Sequence, residues 1–157
     1  MVNDAEVLRR LEDRGLELPS PPAPVATYVP ATRTGSVVFV AGQIPIEDGQ
    51  PIHPGSLGVS VSVESGQQAA ARAALQALSV LRNELGGSLD GVARLLQLTV
   101  FVASAPDFVE HSTVANGASD LLVDVLGDEG RHARVAVGVA SLPLGSCVEV
   151  AMTAEVA

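Results

Sequence analysis

Apolar residues recur at helical spacing in two long segments of the chain. The first follows Ser62, a favourable N-cap residue, and stops at Gly86-Gly87. The second is predicted over residues 107–126, with Asp107 and Glu110 as a capping pair. The apolar positions are Ala71, Leu75, Leu78, Leu81 and Leu85 in the first segment, and Val114, Leu121, Leu122 and Val125 in the second. Both segments are therefore predicted to be amphipathic helices that pack on a sheet.

Segments rich in β-forming residues lie around these helices. Five strands are predicted, over residues 28–29, 37–43, 92–102, 134–140 and 147–155. Residues 45–60 combine Pro, Gly and polar residues and are predicted to be a loop. The resulting order, β-β-α-β-α-β-β, predicts an α+β fold in which two helices pack on one face of a mixed sheet.

The first residues are predicted to form an appendage to this core. A short amphipathic helix is expected over residues 4–14. A connector follows it, and its prolines at 19, 21, 22 and 24 exclude regular structure. The predicted organisation is therefore an N-terminal helix and Pro-rich connector over residues 1–24 and one domain over residues 25–157, consistent with a chain of 157 residues.

Charge and composition narrow the function. Nine basic residues face eighteen acidic ones, and all nine are Arg, so a Schiff-base lysine is excluded. A net charge of -9 and 3% aromatic residues disfavour nucleic acid as a ligand. No apolar run reaches the roughly 18 residues of a membrane span. The acidic start of the chain and the single Cys147 predict a cytoplasmic protein. Scattered histidines and missing phosphate-loop and dinucleotide motifs predict neither metal nor cofactor.

Arg134 is the strongest candidate for ligand binding. Alternation along its strand puts Arg134, Ala136 and Gly138 on one face and the valines at 135, 137 and 139 on the other. The valine face is expected to be core. The opposite face then holds one guanidinium above a floor of small residues, an arrangement suited to clamping a small carboxylate. A salt bridge or a subunit contact is the alternative interpretation.

Glu149 is the second candidate, because it lies in a strand between two valines. Partial burial would raise its pKa and suit it to handling a proton or orienting a water molecule. A solvent-facing Glu explains the sequence equally well. If the last two strands form a simple hairpin, Gly138 pairs near Glu149, so that Arg134 and Glu149 bracket a gap.

Four further positions are weaker candidates. Tyr28, the only tyrosine, could contact a ligand, although packing is the commoner fate. Gly42 could offer backbone amides to a carboxylate or form a plain turn. Asn116 precedes a glycine inside a helical pattern, which indicates close packing or the approach of a ligand. His132 is interpreted as structural or interfacial, with proton transfer as the other possibility.

Four segments occur in a recognisable order along the chain. They are FVAGQIP at 39–45, LTVFV at 98–102, RVAVGVASLP at 134–143 and VEV at 148–150. The series resembles the RidA (YjgF-like) family of reactive-intermediate deaminases, from about Tyr28 to the C-terminus. The resemblance implies a chorismate-mutase-like fold and a homotrimer with a cleft between each pair of subunits. It also implies hydrolysis of 2-aminoacrylate-type enamines and imines to 2-oxo acids and ammonia, without a cofactor.

The resemblance also assigns roles to individual residues. Arg134 matches the family arginine that clamps the substrate carboxylate, and Glu149 matches the glutamate that positions water. Tyr28 matches a cleft tyrosine, and Gly42 and Asn116 match a backbone contact and a helix asparagine near the cleft.

The chain also departs from the family pattern. Ala136 stands where many deaminases carry Cys, and the N-terminal extension indicates a longer branch of the family. A non-catalytic protein that binds small carboxylates, such as 2-oxo acids, in the same cleft is therefore the alternative function.

Overall fold

The computed structural model describes residues 1–23 and 27–157. Its helices are α1 (Asp4–Glu12), α2 (Val63–Glu84) and α3 (His111–Leu126). The main strands are β1 (Ala31–Thr34), β2 (Val37–Gln43), β5 (Val92–Ala103), β6 (Ala133–Val139) and β7 (Val148–Val156), and a small hairpin comprises β3 (Ile46–Glu47) and β4 (Gln50–Pro51). The five main strands form a mixed sheet in the order β1-β2-β7-β5-β6. The α+β prediction is confirmed, with three helices rather than two packed on the sheet.

One face of the sheet is covered by helices and contains the core. Alternation in β7 buries every second side chain from Val148 to Val156, and Leu98 and Val100 of β5 are fully buried beside them. The ends of α2 follow the predicted signals, since the Ser62 side chain accepts a hydrogen bond from the Ser65 N–H. Among the described residues, no helix covers the opposite face of the sheet, which is called the open face below.

The prediction that the valines of β6 belong to the core is wrong. Val135 and Val137 lie on the open face and are 41% and 40% exposed. The face with Arg134 and Ala136 points towards the helices, and Ala136 packs against the core. Because α3 lies close over this strand, small residues occupy its covered side.

The predicted pairing of Gly138 near Glu149 is also wrong, because β5 lies between β6 and β7. β6 pairs with β5 in parallel, and β7 pairs with β5 in antiparallel orientation. The parallel neighbours β5 and β6 cannot be joined by a tight turn and are connected through α3, and the chain after β6 passes β5 to reach β7 instead of closing a hairpin.

Three local predictions need smaller corrections. The helix expected from residue 107 begins at His111, because the preceding chain is tied to Leu57 by the Ala105 N–H and turns so that the Phe108 N–H reaches the Ala105 carbonyl. The predicted loop at 45–60 contains β3 and β4, and the first strand lies at Ala31–Thr34 rather than 28–29. The expected junction between connector and core, at residues 24 and 25, lies outside the described residues.

The N-terminal helix is packed into the structure. Its apolar side chains Val7 and Leu11 are 2% and 1% exposed and belong to the core cluster, and α1 contacts α3. The Val2 N–H donates to the Val92 carbonyl at the start of β5 (2.9 Å). The division of the chain into an appendage and a core domain stays a prediction.

Candidate functional site

Arg134 lies on the helix side of β6 and reaches α3. Its Nη1 donates to Asn116 Oδ1 at 2.9 Å and to Ser119 Oγ at 3.1 Å, and its Nη2 donates to the Ser112 carbonyl at 3.3 Å. Three acceptors on successive turns of one helix therefore fix the plane of the guanidinium. These contacts leave the Nε–H and one Nη2 proton free to bind a ligand.

All the acceptors around Arg134 are neutral. Among the described residues, arginines 9, 10, 14, 82, 94 and 131 each form an ion pair with a side-chain carboxylate, whereas Arg33, Arg72 and Arg134 do not. The positive charge of Arg134 is therefore not neutralised within the chain. A carboxylate from outside would meet a positioned, uncompensated guanidinium, the strongest kind of partner for a planar anion.

A second pair of residues supports Arg134. His132 Nε2 lies 2.9 Å from Ser119 Oγ, and His132 Nδ1 lies 2.6 Å from the Gly130 carbonyl. The carbonyl can only accept, so Nδ1 carries the proton and Nε2 accepts from the serine hydroxyl. Ser119 thus donates to His132 and accepts from Arg134. The sequence reasoning missed Ser119, which the helical spacing of three residues from Asn116 could have revealed.

Close helix packing sets the position of Asn116. A Cβ at Gly117 would overlap the backbone of Gln67 in α2, so only glycine allows this approach of α2 and α3. The Gln67 side chain also donates to the Thr113 carbonyl at 2.8 Å. The close packing indicated by the Asn-Gly pair is therefore present, and it places Asn116 against Arg134.

Glu149 lies in a different environment, on β7. It is half-buried, and burial raises the pKa of its carboxyl group. The carboxylate lies over Gly42 of β2, where any Cβ would overlap its Oε1 atom. Glu149 forms no ion pair or hydrogen bond with the other described side chains. A desolvated carboxyl group of this kind is suited to accept a proton from water.

Tyr28 and Gly42 line one cavity of about 270 Å³, together with Leu144 and apolar residues of the β2–β3 region. The Tyr28 side chain is half exposed. Because Glu149 lies against Gly42, these three residues define one corner of the molecule. Asn116, Ser119, His132 and Arg134 define the other group, and Ala136 lies beside it with its methyl group in the core.

The two groups lie on opposite faces of the sheet. Arg134 and Met152 both pair with Leu98, which faces the core. Glu149 pairs with Phe101, three residues further along β5 and therefore on the open face. Within one chain, the carboxylate and the guanidinium therefore cannot approach the same small molecule.

Comparisons with known proteins agree with this architecture. Residues 8–156 match the family model described as "YjgF/chorismate_mutase-like, putative endoribonuclease". Protein TCP17 of Trypanosoma cruzi is 47% identical over 151 residues, which are 96% of this chain and 94% of that protein. The chain belongs to the YjgF/RidA-like family.

Solved structures extend the comparison. A protein of unknown function from Agrobacterium tumefaciens has a solved structure that aligns with a TM-score of 0.91. Its sequence is 41% identical, and the alignment covers 98% of this chain and 93% of that one. RidA from an Antarctic Psychrobacter species is 23% identical with a TM-score of 0.60, over 87% and 94% of the two chains, and shares the fold.

The described part of the chain contains neither a membrane-spanning helix nor a metal-binding cluster. Across residues 1–23 and 27–157, no helix has the length and apolarity to cross a bilayer. The same residues bring together no three His, Cys, Asp or Glu side chains that could hold a metal ion.

Proposed function

We propose that this protein hydrolyses short-lived enamines and imines of the 2-aminoacrylate type to 2-oxo acids and ammonia. The observation that carries the proposal is the positioned guanidinium of Arg134, which has only neutral partners and so keeps its charge for a substrate carboxylate. Glu149, whose carboxyl pKa is raised by burial, supplies the proton acceptor.

The proposed site is shared between copies of the chain. Arg134 of one copy and the Tyr28–Gly42–Glu149 corner of another form one cleft in a homotrimer. Within one chain, Arg134 and Glu149 lie on opposite faces of the sheet and cannot contact the same substrate. This supports a site that takes one group from each of two copies. Exposed apolar residues on the open face, among them Phe39 at 49%, offer surface for the association.

Hydrolysis then requires little more than orientation. Arg134 holds the carboxylate of the protonated imine, which an enamine forms by taking a proton from solvent on carbon. Water adds to the imine carbon as Glu149 takes one of its protons. Glu149 then returns this proton to the amino group, the C–N bond breaks, and the hydroxyl proton passes to the departing ammonia, so that the 2-oxo acid and ammonium are released. These substrates hydrolyse spontaneously, so positioning of the reactants provides sufficient acceleration.

The test is release of 2-oxo acid from 2-aminoacrylate generated by a partner enzyme. The wild-type protein is expected to exceed the protein-free rate, and Arg134→Ala is expected to fall to it. Arg14→Ala, which removes an exposed arginine that follows α1 and pairs with Asp124, is the matched control and should behave as wild type. A wild-type rate equal to the protein-free rate would reject the proposal.

The alternative is a non-catalytic protein that binds small carboxylates. The cradle of Arg134 is complete within one chain, so binding alone does not require Glu149. Calorimetry with a 2-oxo acid separates the two functions, because binding without turnover of 2-aminoacrylate supports only the alternative.

A further inference from the structure

A serine and a histidine that belong to neither group above meet in a separate cavity. Ser104 Oγ lies 3.2 Å from His111 Nε2. The cavity beside them measures about 410 Å³, and its other walls are largely apolar, including Pro106, Phe108 and Val139. Neither the carboxylate clamp nor the Glu149 corner uses these residues.

Gly138 allows the pair to lie against the backbone of β6. A Cβ at this position of β6 would lie 2.6 Å from His111 Nε2 and 2.7 Å from Ser104 Oγ. Glycine weakens a strand, and its occurrence within one commonly marks a close approach to the backbone. Here the missing side chain leaves the space that Ser104 Oγ and His111 Nε2 occupy, so that both atoms reach the wall of the cavity.

Both members of the pair are held in place. The Ser104 N–H donates to the Val139 carbonyl at 3.1 Å, which fixes the serine to the end of β6. The His111 ring meets the Phe108 ring edge-on, with centroids 5.2 Å apart and an angle of 83° between the planes. In the tautomer with the proton on Nδ1, His111 Nε2 accepts the Ser104 hydroxyl proton, which is the arrangement of a nucleophile and its base.

The histidine of the pair stands at the N-terminus of α3. His111 is the first residue of α3, and Glu110 at the N-cap makes no side-chain capping bond. The first N–H groups of the helix therefore have no acceptor in the helix and can stabilise an oxyanion. The exposed Asp107 and Glu110 carry negative charge in the same segment and disfavour an anionic substrate.

We propose that Ser104 and His111 form a second catalytic centre, which hydrolyses small uncharged esters. Ser104 Oγ bonds to the acyl carbon as its proton passes to His111 Nε2. The ester C–O bond then breaks, and the alcohol leaves with that proton. Water attacks the acyl-serine, gives a proton to His111, and releases the acid as Ser104 regains its hydrogen. The cavity suits a short acyl chain.

The first test is covalent labelling of the wild-type protein with a fluorophosphonate, followed by tandem mass spectrometry. An adduct on Ser104 is expected, and His111→Gln should reduce its rate of formation about 100-fold or more. Ser88→Ala, which removes a serine hydroxyl hydrogen-bonded to Asp90, is the control and should leave the labelling of Ser104 unchanged.

The second test is hydrolysis of p-nitrophenyl acetate. Ser104→Ala and His111→Gln should each lower the rate about 100-fold or more, while His53→Gln, which removes a histidine hydrogen-bonded to Gln68, should not. Failure of Ser104 to label, or ester hydrolysis unchanged in Ser104→Ala, would overturn the proposal. Neither result depends on turnover of 2-aminoacrylate, so this site and the proposed deaminase stand or fall separately.

Discussion

Two arginines on the helix side of the molecule show how the same side chain serves different purposes. Arg82 of α2 donates Nε and Nη2 to the two oxygens of Asp4, at 2.8 and 2.9 Å. Asp4 is largely buried and also accepts from the Leu89 N–H at 3.0 Å. This bidentate pair ties α1 to α2. Arg134, in contrast, is held only by neutral acceptors, so its charge stays available to a ligand.

The comparison teaches that the partners of a guanidinium, rather than its burial, indicate its role. A carboxylate in the same chain satisfies Arg82 and makes it structural. Amide, hydroxyl and carbonyl oxygens orient Arg134 without cancelling its charge. Substitutions at the two positions should therefore affect different measurements.

The largest effect is expected from Arg134→Lys. Lysine keeps the charge but cannot present a planar, bidentate edge while bonded to the α3 acceptors. The loss of kcat/KM for imine hydrolysis should be about 100-fold, or ~2.7 kcal/mol in transition-state free energy, with little change in the free energy of unfolding. Steady-state kinetics and urea unfolding provide the two readouts. Retention of full activity would show that charge alone suffices.

The opposite pattern, a loss of stability without a loss of activity, is expected from Arg82→Ala. Removing Arg82 leaves the largely buried Asp4 carboxylate without its counter-ion. In the wild-type protein, the Arg82–Asp4 pair is partly exposed to solvent. The expected loss is therefore about 2 kcal/mol in the free energy of unfolding, below that of a fully buried pair. Activity per folded molecule should be unchanged. A loss of activity without a loss of stability would contradict the structural role of Arg82.

Low pH should reduce the difference in stability between the wild-type protein and Arg82→Ala. The hydrogen bond from Arg82 holds the pKa of Asp4 below its ordinary value of 3.8. A carboxyl group whose pKa is depressed by folding stabilises the protein above its unfolded-state pKa, and loses that contribution as the pH falls through the folded-state pKa. The gap in stability between wild type and Arg82→Ala should therefore narrow below about pH 4, which urea unfolding at several pH values would measure.

A smaller effect is expected from Ser119→Ala. This change removes one acceptor from Arg134 and the donor to His132, but leaves the charge and the other two bonds in place. The expected result is an increase in KM of about 10-fold, with kcat nearly unchanged, since one hydrogen bond to a charged group contributes about 1.5 kcal/mol. Unchanged KM would remove Ser119 from the binding site.

The smallest expected effect is the change in the free energy of unfolding caused by Glu149→Gln. Its carboxyl pKa is raised by burial, so ionisation above the unfolded-state pKa opposes folding. Glu149→Gln should therefore increase the free energy of unfolding at pH 7 by less than about 1 kcal/mol while imine hydrolysis is lost. Thermal unfolding at pH 7 and pH 4 is the measurement, and the gain should shrink at the lower pH.

Much of the fold could be predicted because the spacing of apolar residues and the residues that cap helices or form turns are local features of the sequence. The N-cap at Ser62 and the strand over 37–43 were identified from the sequence to the residue. The facing of β6 could not be predicted, because the rule that valines turn inward assumes that a helix covers the bulky side. α3 lies instead over the side with Arg134.

The residues of the candidate site were proposed from the sequence and their roles stay predictions, but their arrangement could not be predicted. The order of β5, β6 and β7 depends on long-range pairing, which no local pattern encodes. The sequence therefore could not show that Arg134 and Glu149 lie on opposite faces. It also could not show the Ser119–His132 support, because these two residues meet only after α3 packs beside β6.

We propose that one active site uses Arg134 from one copy of the chain and Glu149 from another. Arg134→Ala and Glu149→Gln proteins, each inactive alone, would be unfolded together, refolded as a mixture and assayed for hydrolysis of 2-aminoacrylate. Random assembly should restore roughly a quarter of wild-type activity, because ~1 in 4 interfaces then combines an intact Arg134 with an intact Glu149. A mixture as inactive as its components would contradict the shared site.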